Sequence, residues 1–294
     1  GRIRDQWHTM TRTAIAAKLN QHRPEPFVEI HPADAKSLGL KEFALAKITS
    51  AWGTMLARVQ ITQAQQPGSI FTPMHWTKQY ASQGRMGSLV NPCVDPISKQ
   101  PESKQTPVAI ETYPAEWYGF VLSREELNVQ DIEYWIKIKG QDYFRYELAS
   151  TQTPENWRDW ARNKFLDGDS TEFEWQEFWD TGKKSYRAGC FVGQRLQSLV
   201  FISTQFTLPE RGWLAGLFAK TTLEASERMA LLSGAPPKGE ARVGAIVCAC
   251  FNVDVNTLKT AITEKGLKTH QEVGACLKAG TNCGSCIPEI KALL

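Results

Sequence analysis

The chain has no apolar stretch approaching the length of a membrane span; its longest runs, such as Leu199 to Ile202, suit buried strands instead. It has no dense run of lysine or arginine, and a formal net charge of +3 over 294 residues is too small to point to nucleic acid. Any basic residues that matter must therefore act locally. No secretory signal, internal repeat or low-complexity tract is visible, and no His-x-x-x-His pairing turns His31 or His75 into a metal ligand. Both histidines read as positioning or core residues. The 42% apolar and 22% charged fractions are those of a folded globular protein and exclude disorder. The length suits two or three domains, each with its own core.

Cysteine is scarce but concentrated. Of seven in the chain, four form two close pairs near its end, Cys248-x-Cys250 and Cys283-x-x-Cys286, thirty-two residues apart. One loop can present both sulfurs of a short pair to the same metal centre, provided the intervening segment returns the chain to its start. That segment reads as two helices. Asp254 or Asn256 is placed to cap the first, Val255 to Lys265, with Gly266 as its stop; Thr269 is placed to cap the second, His270 to Lys278, with Gly280 ending it. Zinc and an iron–sulfur cluster both accept four thiolates, but Cys-x-Cys is tighter than the usual zinc knuckle, and nothing else suggests a disulfide scaffold. Thiols at ligand spacing favour a reducing compartment, the cytoplasm. Cys93 and Cys190 are isolated, and Cys276 falls in the second helix as a small apolar residue.

The segment Val247 to Leu294, with its Cys-Gly-Ser-Cys turn followed by Ile-Pro-Glu and a short apolar helix, resembles the bacterioferritin-associated-ferredoxin-like module. The resemblance implies a [2Fe-2S] cluster on Cys248, Cys250, Cys283 and Cys286.

Two further regions precede this module. Residues 1 to about 112 are rich in strand patterns: Phe27 to Ile30, Phe43 to Thr49, Met55 to Thr62, Ile70-Phe71 and Val108 to Glu111. Pro32 opens a short helix that Gly39 ends. Consecutive short strands with few helices argue for a barrel or sandwich. The middle, from Ala115 to Ala235, pairs Tyr134 to Lys139 with Tyr143 to Leu148, and Ser185 to Val192 with Gln194 to Ile202. It also has helical patterns after a Thr153 cap with Pro154 first, from Pro209 to Ala219, and from Leu223 to Ser233. Its tryptophans suit a core. Tyr186 to Ser203 faintly resembles a β-hairpin of flavin-dependent pyridine-nucleotide reductases, and no flavin is placed on it. Gly234, Pro236, Pro237 and Gly239 form a linker into the cysteine-rich end.

The opening segment, Gly1 to Thr13, gathers Arg, Gln, His and Thr donors behind a glycine, as a loop holding a phosphorylated ligand needs. With Glu25 to Leu40, Phe71 to Trp76 and Leu89 to Lys104 in this order, it resembles the C-terminal dinucleotide-binding domain of molybdenum oxidoreductases that use molybdopterin guanine dinucleotide. Joined to a [2Fe-2S] module, the pattern is most similar to the catalytic subunits of bacterial assimilatory nitrate reductases. The resemblance implies a multidomain chain: a double-psi β-barrel over residues 1–114, an α+β middle domain over 115–235, and a linker with a small helical [2Fe-2S] domain over 236–294.

Carried over residue by residue, it implies that Gly1, Arg2, Gln6, Trp7, His8 and Thr9 wrap the pyrophosphate and pterin of a dinucleotide. Thr11 and Arg12 continue that loop, and Lys104 makes a further contact. Arg2 and Arg12 offer forked donors to phosphate oxygens. Where the family often carries Asn, eight residues before the Asp of Asp95-Pro96, this chain has Gly87, with Ser88 and Asn91 nearby. The implied cofactors are the [2Fe-2S] cluster and molybdenum bis(molybdopterin guanine dinucleotide). The latter is shared with the rest of a catalytic subunit, which also carries a [4Fe-4S] cluster and precedes Gly1. The implied reaction is reduction of nitrate to nitrite, with electrons from a ferredoxin, flavodoxin or reductase subunit, and without nucleic acid or membrane as partner. No residue of this chain is implied to act directly in oxygen-atom transfer. Two alternatives stand beside this one: another molybdenum oxidoreductase such as a formate dehydrogenase, or a non-enzymatic electron-transfer or iron-delivery protein.

Overall fold

The computed structural model describes residues 1–102, 105–165, 173–239 and 242–294. The first region forms a five-stranded mixed sheet from β1 (Phe27–Ile30), β2 (Leu45–Thr49), β3 (Thr54–Ile61), β4 (Ile70–Phe71) and β5 (Ala109–Thr112), in the order β4-β1-β3-β2-β5. β1 runs parallel to β3, with Phe27 opposite Arg58 and Ile30 opposite Ile61; the other pairs are antiparallel. β4 and β5 are its edges, so the described sheet is coarser than the closed barrel implied by the family resemblance. Helix α1 (Pro32–Ser37) begins where Pro32 fits the first turn; the side chain of His31 accepts from Ala33 N–H, and Gly39 leaves the helix at φ +67°. The predicted strand from Phe43 begins two residues later, because Phe43 sits at φ +64°, outside strand geometry.

The middle region is a six-stranded antiparallel sheet of β6 (Trp117–Ser123), β7 (Tyr134–Lys139), β8 (Phe144–Ser150), β9 (Phe173–Asp180), β10 (Ser185–Val192) and β11 (Arg195–Ser203), ordered β7-β8-β6-β11-β10-β9. Both hairpins read from the sequence are present. Strands β6 and β9 are additions that the sequence reading did not include. β6 is buried along its whole length, so its sequence shows no polar face. Trp117 and Val121 pack towards α2 (Trp157–Phe165), while Phe120 and Leu122 pack towards α3 (Arg211–Gly216) and α4 (Ala225–Leu231). Helix α2 starts three residues after the predicted Pro154. Its cap is Asn156, whose side-chain oxygen accepts from the Arg158 and Asp159 N–H groups, rather than Thr153.

The two sheets share apolar packing. Leu45, Leu56, Trp76 and Ala81 of the first region lie in one buried cluster with Tyr118, Tyr134, Ile136 and Ile138 of the second. Glu25 adds a polar joint, accepting from Arg58 Nη2 at 2.7 Å and from the Tyr134 hydroxyl at 3.1 Å.

The last region packs a two-stranded ribbon, β12 (Ile246–Cys248) and β13 (Val253–Asp254), against α5 (Val255–Lys265), α6 (His270–Leu277) and α7 (Ile287–Leu293). Asp254 caps α5 by accepting from Asn256 and Thr257 N–H, and Gly266 ends it in the left-handed conformation. Thr269 and Glu272 form a capping box at the start of α6. That helix stops at Leu277, with Lys278 rather than Gly280 supplying the left-handed residue. No described helix is long and apolar enough to cross a membrane.

The most demanding charge in the fold is Glu147, fully buried on β8 and bracketed by two arginines. Arg145 Nε donates to it at 2.6 Å and Arg211 Nη2 at 2.6 Å, while the Arg211 guanidinium lies over the Phe120 ring. Burial alone raises its carboxyl; Arg145 and Arg211 outweigh burial and bring it down to about 2. Glu147→Gln should therefore destabilise the chain by about 3 kcal/mol near neutral pH, by leaving buried guanidinium charge unpaired. A carboxylate depressed in the fold stabilises it above its ordinary pKa, and that stability is lost as pH falls towards the folded value. Denaturation of parent and variant should consequently converge as pH drops from about 4.5 towards about 2. A gap that persists unchanged across this range would contradict the assignment.

Candidate functional site

The segment before β1 contains only two short 3-10 turns, Thr13–Ile15 and Leu19–Gln21, so side chains must hold its backbone. Asp5, His8 and Met10 all have positive φ, at +67°, +42° and +62°, a costly geometry for residues with side chains. The loop is fastened to the Phe71 to Trp76 segment beneath it. Gly1 O accepts from Met74 N–H at 2.9 Å, and a Cβ on Gly1 would lie 2.5 Å from the Phe71 ring, so glycine is required by close approach.

The central fastening is His75, which is completely buried. Its Nε2 accepts from Ile3 N–H at 3.0 Å, and its Nδ1 lies 2.6 Å from His8 O. A backbone N–H only donates and a carbonyl only accepts, so the ring is neutral with its proton on Nδ1. Burial is the main force lowering its pKa, against the opposing His8 carbonyl bond; neighbouring positive charges, including Arg2, add to the lowering.

Of the residues predicted to contact the dinucleotide, Arg2, Trp7, His8, Thr9, Thr11 and Arg12 are exposed along this loop. Gln6 is half-buried and works within the loop, donating to Asn20 Oδ1 at 3.4 Å and accepting from the Thr13 hydroxyl at 2.6 Å. Lys104 lies outside the described residues. Gly87 sits in the turn Met86–Ser88, where Ser88 Oγ is taken up by Thr54 O and Arg85 O; Asn91 Oδ1 accepts from Cys93 N–H.

The two cysteine pairs meet across the small module. Cys248 ends β12 and Cys250 follows it, while Cys283 and Cys286 precede α7. Cys250 Sγ lies 3.4 Å from Cys283 Sγ, and Cys248 and Cys286 are buried together in the module's small core. Two sulfurs on one tetrahedral metal stand about 3.8 Å apart when each bond is ~2.3 Å, so the outer pair already has nearly that spacing. Among the described residues no three metal-ligating side chains gather round a single point. Burial, followed by the neighbouring Cys248, pushes the Cys286 thiol up to about 11, so a thiolate there needs cationic compensation. Hydrogen bonds from Ser285 lower Cys283.

The other cysteines stand apart. Cys190 is buried in β10, and Cys93 is exposed. Cys276 is half-buried rather than a buried core residue, and its sulfur accepts from Lys265 Nζ at 3.1 Å.

The structure also brings the opening loop onto the cysteine module. Arg4 donates to both Glu289 oxygens, from Nε at 3.0 Å and Nη2 at 2.8 Å, and Nη2 also reaches Val247 O at 2.8 Å. His22 stands between the carboxylates of Asp5 and Glu289, and Ser285 Oγ donates to Asp5 Oδ1 at 3.2 Å. Sequence reasoning had passed over all four ionisable residues, whose types and spacing are those of ordinary surface charges.

Comparison with known proteins accords with this geometry. Residues 1–107 match the family described as the Molydopterin dinucleotide binding domain, and residues 246–294 match the BFD-like [2Fe-2S] binding domain. Across its whole length the chain is 39% identical to nitrate reductase of Klebsiella oxytoca. The chain unites these two domain types and is a homologue of nitrate reductases. It spans 33% of the Klebsiella protein. Over 38% of the chain it is 36% identical to the F420-dependent formate dehydrogenase subunit alpha of Methanocaldococcus jannaschii, covering 16% of that protein. Over 37% of the chain it is 29% identical to the assimilatory nitrate reductase catalytic subunit of Bacillus subtilis, covering 15% of that protein.

Replacing His75 tests what holds the loop. His75→Leu should cost about 1–3 kcal/mol in local stability, because Ile3 N–H and His8 O lose their partner, and should speed amide exchange across residues 3–8. His75 is neutral in the fold, so on acidification through the ordinary histidine range the unfolded segment takes up a proton that the folded one resists. The parent loop should lose protection as pH falls through that range, and the variant should lack this component. Equal exchange in both proteins would show that the loop is held some other way.

Proposed function

We propose that this chain is part of a molybdenum-dependent nitrate reductase of the assimilatory type, reducing nitrate to nitrite in the cytoplasm. The observation that carries the reading is that 39% identity to a nitrate reductase runs through both the dinucleotide-binding region and the [2Fe-2S] region. A partial match does not separate the two substrates, since the formate dehydrogenase subunit matches over 38% of the chain and the Bacillus nitrate reductase over 37%; the whole-chain match to a nitrate reductase is what favours nitrate.

In this reading residues 1–114 complete a double-psi β-barrel, 115–235 form an α+β domain buttressing it, and 236–294 hold the cluster. Arg2 and Arg12 pair with phosphate oxygens of the guanine dinucleotides. Gly1 allows close approach, and Trp7, His8, Thr9 and Thr11 line the ligand. Gln6 shapes the loop as well as touching the cofactor, and Lys104 adds a further contact. Cys248, Cys250, Cys283 and Cys286 ligate the [2Fe-2S] cluster. When bound, the molybdenum cofactor supplies two-electron oxygen-atom transfer and the iron–sulfur centres, including a [4Fe-4S] cluster elsewhere in the protein, supply one-electron relay. This chain's own contribution is to hold and orient these groups. Electrons come from a ferredoxin, flavodoxin or reductase subunit.

The decisive assay is nitrate-dependent oxidation of a reduced viologen by the full-length protein, with formate oxidation as the alternative. Activity with formate alone would overturn the substrate assignment. In that protein Arg12→Ala and Lys104→Ala should lower molybdenum content, each lost contact costing on the order of 1.5–3 kcal/mol, and spare the [2Fe-2S] resonance signal. Full molybdenum occupancy in both variants would remove these residues from the site.

The cluster can be tested without substrate. Anaerobic reconstitution of the chain should incorporate equal amounts of iron and inorganic sulfide, two of each as the cluster type requires. Serine at any one of Cys248, Cys250, Cys283 or Cys286 should abolish stable incorporation, whereas Cys276→Ser should be tolerated. Uptake of zinc without iron and sulfide would defeat the relay role.

A further inference from the structure

The Arg4–Glu289 contact joins the two cofactor regions at a telling place. Arg4 and Asp5 lie between Arg2 and Gln6, inside the stretch proposed to wrap the dinucleotide. Their partners lie beside the cysteines: Val247 adjoins Cys248, Ser285 lies between Cys283 and Cys286, and Glu289 occupies the first turn of α7. Ser285 Oγ is itself 3.2 Å from Cys283 Sγ. The ligand-bearing end of the module is thus attached to the opening loop.

The contact has a geometry that specifies orientation. A guanidinium presenting parallel N–H groups to both oxygens of one carboxylate fixes the plane and direction of each partner, as a point charge does not. Arg4 is stiffened by its second carboxylate, with Nη1 2.5 Å from Asp5 Oδ2. Asp5 holds a positive φ that aims it back at Arg4 and Ser285. Arg4 is 18% exposed and Glu289 39%, so the pair is less screened than two free surface charges. Burial tends to raise the Glu289 carboxyl, but hydrogen bonds from His22 and Arg4 outweigh it.

We propose that Arg4 and Glu289 are positioning residues, whose bidentate pair docks the ligand-bearing end of the [2Fe-2S] module on the dinucleotide-binding loop and so sets the separation of the two redox groups. This rests on the cluster and dinucleotide assignments above. Electron transfer is steep in distance, so a module attached only through its linker would sample many separations, whereas the clamp selects one.

A charge-reversal cycle on the chain tests this, using Arg4→Glu, Glu289→Arg and the double variant. Amide exchange across residues 2–6 and 285–290 should be roughly tenfold faster in each single variant, corresponding to about 1.4 kcal/mol of lost coupling, and should return close to the parent rate in the double variant. Iron and sulfide content should be unchanged in all four proteins. Pulsed resonance between the reduced cluster and a nitroxide on the exposed Cys93, in a Cys276→Ser background, should give one narrow distance in the parent and double variant and a broad distribution in the singles. Single variants with parental exchange and distance, or a double variant that fails to recover, would overturn the clamp. Absence of iron and sulfide from the parent would instead overturn the cluster assignment, a result the exchange data would separate from failure of docking.

Discussion

An irregular backbone with exposed polar side chains cannot stabilise itself through helix or sheet ladders, and in this protein a buried imidazole takes over that work. His75 receives Ile3 N–H on one nitrogen and meets His8 O with the other, spanning the part of the loop where Asp5 and His8 have left-handed backbones. A lysine or carboxylate could not serve both roles in a dry site, because the first only donates and the second, when charged, only accepts. The neutral tautomer does both without a buried charge. Display of Arg2, Trp7, Thr9 and Arg12 on the outer side of the loop follows from this fastening on the inner side.

The three regions communicate through that same loop. Beneath it lies the apolar cluster shared by both large sheets, with the Glu25, Arg58 and Tyr134 joint at its margin. On its other flank are Arg4, Asp5 and His22, facing Glu289 and Ser285 of the cysteine module. Apolar burial supplies the bulk attraction between the sheets, while the charged contacts select the geometry. Glu147 plays a comparable part within the middle region, where one buried carboxylate ties β8 to the start of α3 through Arg211.

The cysteine centre shows why ligand spacing and fold have to agree. The short pairs place two thiols at each end of the segment, and capped helices α5 and α6 carry the chain back so that Cys250 meets Cys283 and Cys248 shares a core with Cys286. Burial disfavours the Cys286 thiolate, Cys250 and Cys283 are more accessible, and bound iron would offset the cost of charging the buried thiol. Without the left-handed Gly266 and Lys278 exits, the helices would overrun and the pairs would not face one another.

Much of the local structure was legible in the residues themselves. β1, β7, β10 and α5 occupy the spans their patterns indicate, because alternation, capping and glycine stops act over a few residues. The four cysteines were legible as a group because thiol pairs at such spacing have few other uses. β6 was not, since a strand buried on both faces has no polar alternation to reveal it, and the α2 cap was misplaced because Thr153 and Asn156 are both plausible caps until the chain path is known. His75 and His31 could be assigned non-ligand roles, but not their hydrogen bonds. The sequence by itself determined many of the strand and helix segments, the grouping of four cysteines into two close pairs and the resemblance of each end to a known domain, since these depend on near-neighbour chemistry. Only the tertiary structure decided that Arg4 would meet Glu289 and that His75 would hold Ile3 and His8, because those contacts join residues 285, 72 and 67 positions apart and arise from how separately folded pieces pack.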